Sequence, residues 1–161
     1  MRANPWLING PTHLASAIAE QILRRLPQWF GVESALLRYA AEAQTLPTFV
    51  AFAADTPIGF INLREHNRDT LEINCIAVAP DRHGSGVGTG LCNAASNWWA
   101  SRGGRLLQVK TIGPSRENSY YARTRGFYAA RGFLPVEEFT ELWPGCPCLL
   151  LVLPLTKHAG A

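Results

Sequence analysis

The tract Val78-Ala79-Pro80-Asp81-Arg82-His83-Gly84-Ser85-Gly86-Val87-Gly88 carries the plainest chemical signal in the chain. An apolar strand pattern enters it and an apolar-periodic helix leaves it. Glycines at 84, 86 and 88 admit positive φ and put no side chain in front of the backbone N–H groups. Such donors, with the positive end of the following helix, favour an anion by ~0.3–1 kcal/mol per charge, more when partly buried. Neutral main-chain donors suffice, so no lysine is needed. A nucleotide P-loop would read Gly-x-x-x-x-Gly-Lys-Ser/Thr, and the missing lysine argues against ATP or GTP hydrolysis. A dinucleotide fingerprint would read Gly-x-Gly-x-x-Gly near the start of a doubly wound fold, whereas this triplet is Gly-x-Gly-x-Gly after strands expected to be antiparallel. Close helix packing without a ligand is the structural alternative.

The cysteines offer less. Cys75, Cys92, Cys146 and Cys148 are too few and too irregular for a disulfide scaffold. Cys146-Pro147-Cys148 is half a metal site with no recognisable partner pair, so no metal is expected. Cys75 reads as a small buried hydrophobe, since no paired His is implied.

Presenting the glycine turn takes a sheet and helices. Pro11-Thr12 opens a helical pattern through Leu14, Ile18, Ile22 and Leu26, stopped by Pro27; a second stripe, Leu36, Leu37, Ala40 and Ala41, ends before Pro47. Strands are expected at 48–53, 58–64 and 71–79, antiparallel neighbours across short polar turns. A helix from Val87 buries Leu91, Ala94, Ala95 and Trp98, leaving Trp99 at an interface or sheet edge. Arg102-Gly103-Gly104 stops it before a strand at 106–110, and a strand-helix-strand unit of this kind makes its two strands parallel. A helix at 119–130 and a strand at 133–139 follow, and a strand at 149–155 closes the sheet. The insert Pro144-Gly145-Cys146-Pro147 is kept out of any central strand. The whole is α+β with a mixed sheet.

At 161 residues the chain suits one domain over 1–161, burying roughly 70% of its extended surface. With 47% hydrophobic and 17% charged residues it is globular in composition. A net charge of +3 is too weak to argue for a nucleic-acid partner. The charge is uneven: six basic against seven acidic residues in 1–80, nine against five in 81–161, a bias that suits an anion site in the second half. No apolar run approaches the ~20 residues of a membrane span. Met1-Arg2-Ala3-Asn4-Pro5-Trp6 lacks the core of a signal peptide, so no membrane partner and a cytoplasmic location are the default expectations.

His83-Gly84-Ser85-Gly86-Val87-Gly88 resembles the Gln/Arg-x-x-Gly-x-Gly/Ala loop of the GCN5-related N-acetyltransferase (GNAT) family, with His83 at the first position and Arg82 just before it. Arg125-Gly126-Phe127-Tyr128-Ala129-Ala130-Arg131-Gly132-Phe133 is similar to its second landmark, Phe/Leu-Tyr-x-x-x-Gly-Phe. The resemblance runs from about Thr48 to Leu155. It implies a mostly antiparallel sheet with a central splayed parallel strand pair flanked by helices, in an α/β/α layering. It also implies acetyl-CoA as co-substrate, direct transfer to the amine of a small molecule or peptide, and a homodimer. A non-enzymatic acyl-CoA-binding regulatory module is the alternative that the same motifs allow.

The resemblance also assigns roles. His83, Gly84, Ser85, Gly86, Val87 and Gly88 would hold the pyrophosphate. The backbones of Ile76, Ala77 and Val78 would pair with the pantetheine arm, one N–H facing the developing oxyanion, a type of donor worth roughly 3–4 kcal/mol. An alkylammonium, with pKa ~10.4, must lose a proton before attack. Glu72, at the start of the long strand and on one face with Asn74, is the preferred base; a solvated strand-end carboxylate is its alternative. Glu65 and His66 are lesser candidates, an exposed turn pair being the simpler account. Tyr128 would protonate the leaving thiolate, unless it is a packing aromatic beside Phe127. Tyr121 stands where the family often has Asn, with Asn118 three residues earlier, and both are carried as CoA contacts. Trp29 and Phe30 would wall the acceptor pocket. Arg82, Arg116, Arg123, Arg125 and Arg131 are unranked candidates for the 3′-phosphate.

Overall fold

The computed structural model describes residues 5–156, so Met1–Asn4, read above for a leader, lie outside the described residues. Among these the order is β1 (Leu7–Thr12), α1 (Ser16–Leu23), α2 (Glu33–Glu42), β2 (Thr48–Ala53), β3 (Thr56–Glu65), β4 (Thr70–Val78), a 3-10 turn (Pro80–Arg82), α3 (Val87–Ser101), β5 (Leu106–Ile112), α4 (Ser119–Ala130), β6 (Leu134–Trp143) and β7 (Cys146–Pro154). The strand order is β1-β2-β3-β4-β5-β7-β6, with β4 and β5 parallel. This is the expected mixed α+β sheet. The chain divides into two compact units, and β4 and α3 each pass from one into the other.

The first unit holds the described residues through Arg64 together with Asn74–Trp98. Its β1, β2 and β3 are antiparallel neighbours. Ile22 and Leu23 of α1 and Leu36 of α2 are buried with Val50 and Phe60. The expected helix from Pro11-Thr12 is corrected here: Leu7–Thr12 is a strand, and α1 begins only at Ser16. Leu14, periodic with the helix in sequence, is 76% exposed and has φ 66. The edge of β2 explains the difference, because its backbone groups need partners that a helix at 11–16 would not supply. Pro11 is tolerated because β1 is an edge strand. Along α3 the buried positions are Val87, Leu91, Cys92, Ala95 and Trp99. Gly59 lets the sheet approach that helix: a Cβ there would lie 3.1 Å from both the Ala77 carbonyl oxygen and Val87.

The second unit comprises Glu65–Ile73 and the described residues from Trp99 onward. The β4–β5 register runs from Thr70↔Leu106 to Ile73↔Val109. Leu71, Leu107, Val109, Tyr128, Phe133 and Leu151 are buried in this unit. Two expectations are corrected. Trp99, not Trp98, is the buried indole; the spacing of four from Val87 through Leu91 and Ala95 leads to it, and its Nε1 donates to the Asp69 carbonyl at 3.1 Å. Gly104 leaves it room, since a Cβ would come within 2.2 Å of the ring. The final strand lies between β5 and β6 and does not end the sheet. Pro147 is therefore in an interior strand, but as its second residue, before the first pair with β5 at Ile112↔Cys148.

Candidate active site

In the first unit, β4 delivers the chain through the 3-10 turn to residues 83–88. Gly84 and Gly86 have φ 75 and 86, a region an L side chain enters only under strain. His83 N–H and Ser85 N–H are engaged in long turn bonds to Pro80 (3.4 Å) and Arg82 (3.3 Å). Among the described residues no backbone acceptor takes the N–H of Gly84, Gly86, Val87 or Gly88. These amides stand at the N-terminus of a 15-residue helix, so the turn is a set of uncommitted donors in a positive potential. His83 turns its ring back: Nε2 donates to the Val78 carbonyl at 2.8 Å. Trp29 meets that ring edge-on at 5.8 Å, while Phe30 packs against Tyr39, so the two aromatics serve different surroundings. Ile76, Ala77 and Val78 form the last part of β4, with Ala77 buried.

In the second unit, Glu72 is a buried carboxylate. Its Oε1 accepts from Lys110 Nζ at 2.9 Å, and its Oε2 accepts from Gln108 Nε2 at 3.4 Å and from His66 Nε2. Burial pushes the carboxyl pKa up, but the hydrogen bonds and charges of Lys110 and His66 outweigh it and hold the group below the usual range. Glu72 is therefore not a solvated strand end, and His66 is not an idle turn residue. The sequence motifs assign no role to Lys110 or Gln108. The available signal was alternation: residues 108 and 110 share a face of β5, and the parallel register sets Gln108 beside Glu72.

Helix α4 places the remaining candidates in the same unit. Asn118 is its N-cap, with Oδ1 accepting from the N–H of Tyr120 (2.9 Å) and Tyr121 (3.2 Å). Tyr121 lies in the first turn and is half-buried. Tyr128 is buried, its ring edge-on to Phe127 at 5.4 Å and to Phe133 at 5.3 Å. The arginines have local partners: Arg125 donates to Ile112 O at 2.8 Å, Arg131 to Phe127 O at 2.7 Å, and Arg116 to Gly145 O. A further polar cluster in the first unit went unforeseen. Asn74 Nδ2 donates to Glu42 Oε2 at 2.6 Å and to Asn62 Oδ1 at 3.2 Å, and Arg64 reaches Glu42 at 3.3 Å. Cys75 is buried, and desolvation drives its thiol pKa up, as suits a packing residue. Among the described residues no group of three His, Cys, Asp or Glu side chains is arranged to hold a metal, and no helix is long and apolar enough to cross a membrane.

The acetyltransferase (GNAT) family model matches residues 14–133. The chain belongs to this family. The match spans the glycine turn, the parallel pair and α4. Comparison with curated proteins returns no match. Among solved structures, a GNAT-family protein from Desulfovibrio desulfuricans superposes with TM-score 0.77 at 20% identity, covering 94% of this chain and 99% of that one. The ribosomal-protein-S18-alanine N-acetyltransferase from Escherichia coli has TM-score 0.75 at 17% identity over 96% of each chain. A GNAT family acetyltransferase from Elizabethkingia anophelis with acetyl-CoA bound has TM-score 0.71 at 18% identity, covering 95% of this chain and all (100%) of that one. At these identities the superpositions speak for the GNAT fold. The acetyltransferase identity rests on the family match.

Proposed function

We propose that the chain transfers the acetyl group of acetyl-CoA directly to a primary amine of a small molecule or peptide. The observation that carries this is the row of uncommitted amides at Gly84, Gly86, Val87 and Gly88 heading α3, suited to a diphosphate. The acetyl-CoA held by the Elizabethkingia protein supports the co-substrate. In this reading the main chain of Ile76, Ala77 and Val78 holds the pantetheine arm and gives an N–H to the thioester oxygen as charge develops there. The cluster around Glu72 carries the removal of the amine proton. Tyr128 gives a proton to the departing thiolate, Tyr121 lies along the CoA arm, and Trp29 and Phe30 border the acceptor. The enzyme acts as a homodimer, which sedimentation tests directly.

The test is release of free CoA from acetyl-CoA over a panel of amines, with CoA affinity measured by calorimetry. Glu72→Gln and Tyr128→Phe should each lower kcat/KM by ~10²-fold or more, the scale of acid–base catalysis, while CoA affinity survives. CoA binding without amine-dependent release would overturn transfer, and absence of CoA binding would overturn the site.

A further inference from the structure

We propose that His66 is the group that takes the proton from the incoming amine, and that Glu72 acts through it as the residue that positions and polarises the ring. This deepens, and rests on, the acetyl transfer proposed above.

The geometry begins with a carboxylate that has no oxygen to spare. Glu72 Oε1 is held by Lys110 at 2.9 Å, and Oε2 is shared by Gln108 at 3.4 Å and His66. Protonating the carboxylate would turn its hydrogen bonds from ones to an ionised acceptor, the stronger kind, into ones to a neutral acid. The Glu72 side chain is only 11% exposed, whereas that of His66 is 35% exposed, so of the two the imidazole is the one an amine from solvent reaches more readily. A carboxylate only accepts, so His66 Nε2 must carry the hydrogen that joins them, and the neutral ring presents Nδ1 as its lone pair. Among the described residues Nδ1 has no hydrogen-bond partner. This is the base-and-orienter arrangement that general base catalysis needs.

The turn between β3 and β4 sets this up. His66 N–H donates to the Thr70 carbonyl at 3.1 Å, and Asn67 Oδ1 accepts from the N–H of Asp69 (2.9 Å) and Thr70 (3.0 Å), which closes the hairpin. That closure brings position 66 beside position 72. The charged group on the ring is Glu72 from β4, with Lys110 from β5 on the other carboxylate oxygen; nearby in sequence are Glu65 at the end of β3 and the turn residues Arg68 and Asp69, which pair with each other at 3.8 Å.

The proton balance is complete without another reactant. The ammonium gives one proton to Nδ1, and the imidazolium formed is paired with the Glu72 carboxylate. The neutral amine forms the C–N bond as the C–S bond breaks. Tyr128 gives the thiolate the proton that makes free CoA thiol and recovers one from the nitrogen's surplus, and Nδ1 later returns its proton to water. Lys110 keeps Glu72 ionised, so that the imidazolium always has its counter-charge.

The experiment follows CoA release with acetyl-CoA and two probe amines, spermidine and a short peptide with a free α-amino group, across the neutral pH range. His66→Gln keeps a donor for Glu72 but has no base, so its melting temperature should stay near wild type while kcat/KM falls ~10²-fold or more. His66→Ala should lose as much and regain part of it on adding free imidazole, and CoA affinity should not change in either variant. A His66→Gln enzyme that keeps most of its activity, or a failure of imidazole rescue, would overturn the assignment to His66. Absence of release by the wild-type enzyme with both amines would instead overturn the transfer itself, and the assignment with it.

Discussion

The glycine turn and the Glu72 cluster do their work with opposite materials. The turn at 83–88 offers neutral main-chain donors; residues 83–86 are exposed, and its shape depends on two glycines at positive φ. The cluster is made of side-chain ions and amides around a buried carboxylate, and its shape depends on strand register. A site of backbone dipoles is indifferent to most side chains but intolerant of a changed dihedral. A site of paired side chains tolerates changes in the surrounding backbone sequence but not a single altered atom.

The largest expected effect tests the first half of that contrast. Gly86→Val forces a β-branched residue to φ 86, strain of about 1–3 kcal/mol, and should weaken CoA binding by up to ~100-fold in calorimetry. Ser85→Ala removes a hydroxyl bonded to the Arg82 carbonyl and should leave the affinity within about threefold, because the donors are main-chain. Equal losses in the two variants would mean that side chains, not amides, hold the anion.

A somewhat smaller effect sharpens the second half. Glu72→Gln keeps shape and removes charge, so unfolding by urea at neutral pH should show a loss on the order of 2 kcal/mol. Because the folded-state pKa of Glu72 lies below its ordinary value of 4.5, the stabilisation is complete above that value and is lost as pH falls through the depressed one. The gap between wild type and Glu72→Gln should thus be flat above pH 4.5 and close below it. A gap that persists unchanged in acid would remove the ion pairs as its cause.

The smallest effect concerns α4. Asn118→Ala should cost about 1 kcal/mol of stability through the lost N-cap, Asn118→Ser should recover most of it, and CoA affinity should stay put. A fall in CoA affinity would move Asn118 from capping to ligand contact.

Legibility in the sequence followed the range of the interactions. The strand at 48–53 and the helix at 119–130 have the bounds their local patterns predict, because alternation and capping act within a few residues. The parallel pairing of β4 with β5 was also legible, since a strand-helix-strand unit leaves little choice of hand. β1 was not: Leu7-Ile8-Asn9-Gly10-Pro11-Thr12 has no alternation, and it is a strand because β2 presents an edge to it. The sequence has the final strand close the sheet, yet the pairing of β7 with both β5 and β6 puts it between them.

The same division runs through the site. Gly84 and Gly86 declare their backbone freedom by type, since glycine alone enters positive φ without strain, so the sequence by itself determined that a donor-rich turn heads α3. Nothing local joins the hairpin pair His66 and Glu72 to Gln108 and Lys110, which lie on another strand up to 44 positions away. Only the tertiary structure decided that they meet, because an ion pair acts over a few ångströms in space and knows nothing of distance along the chain.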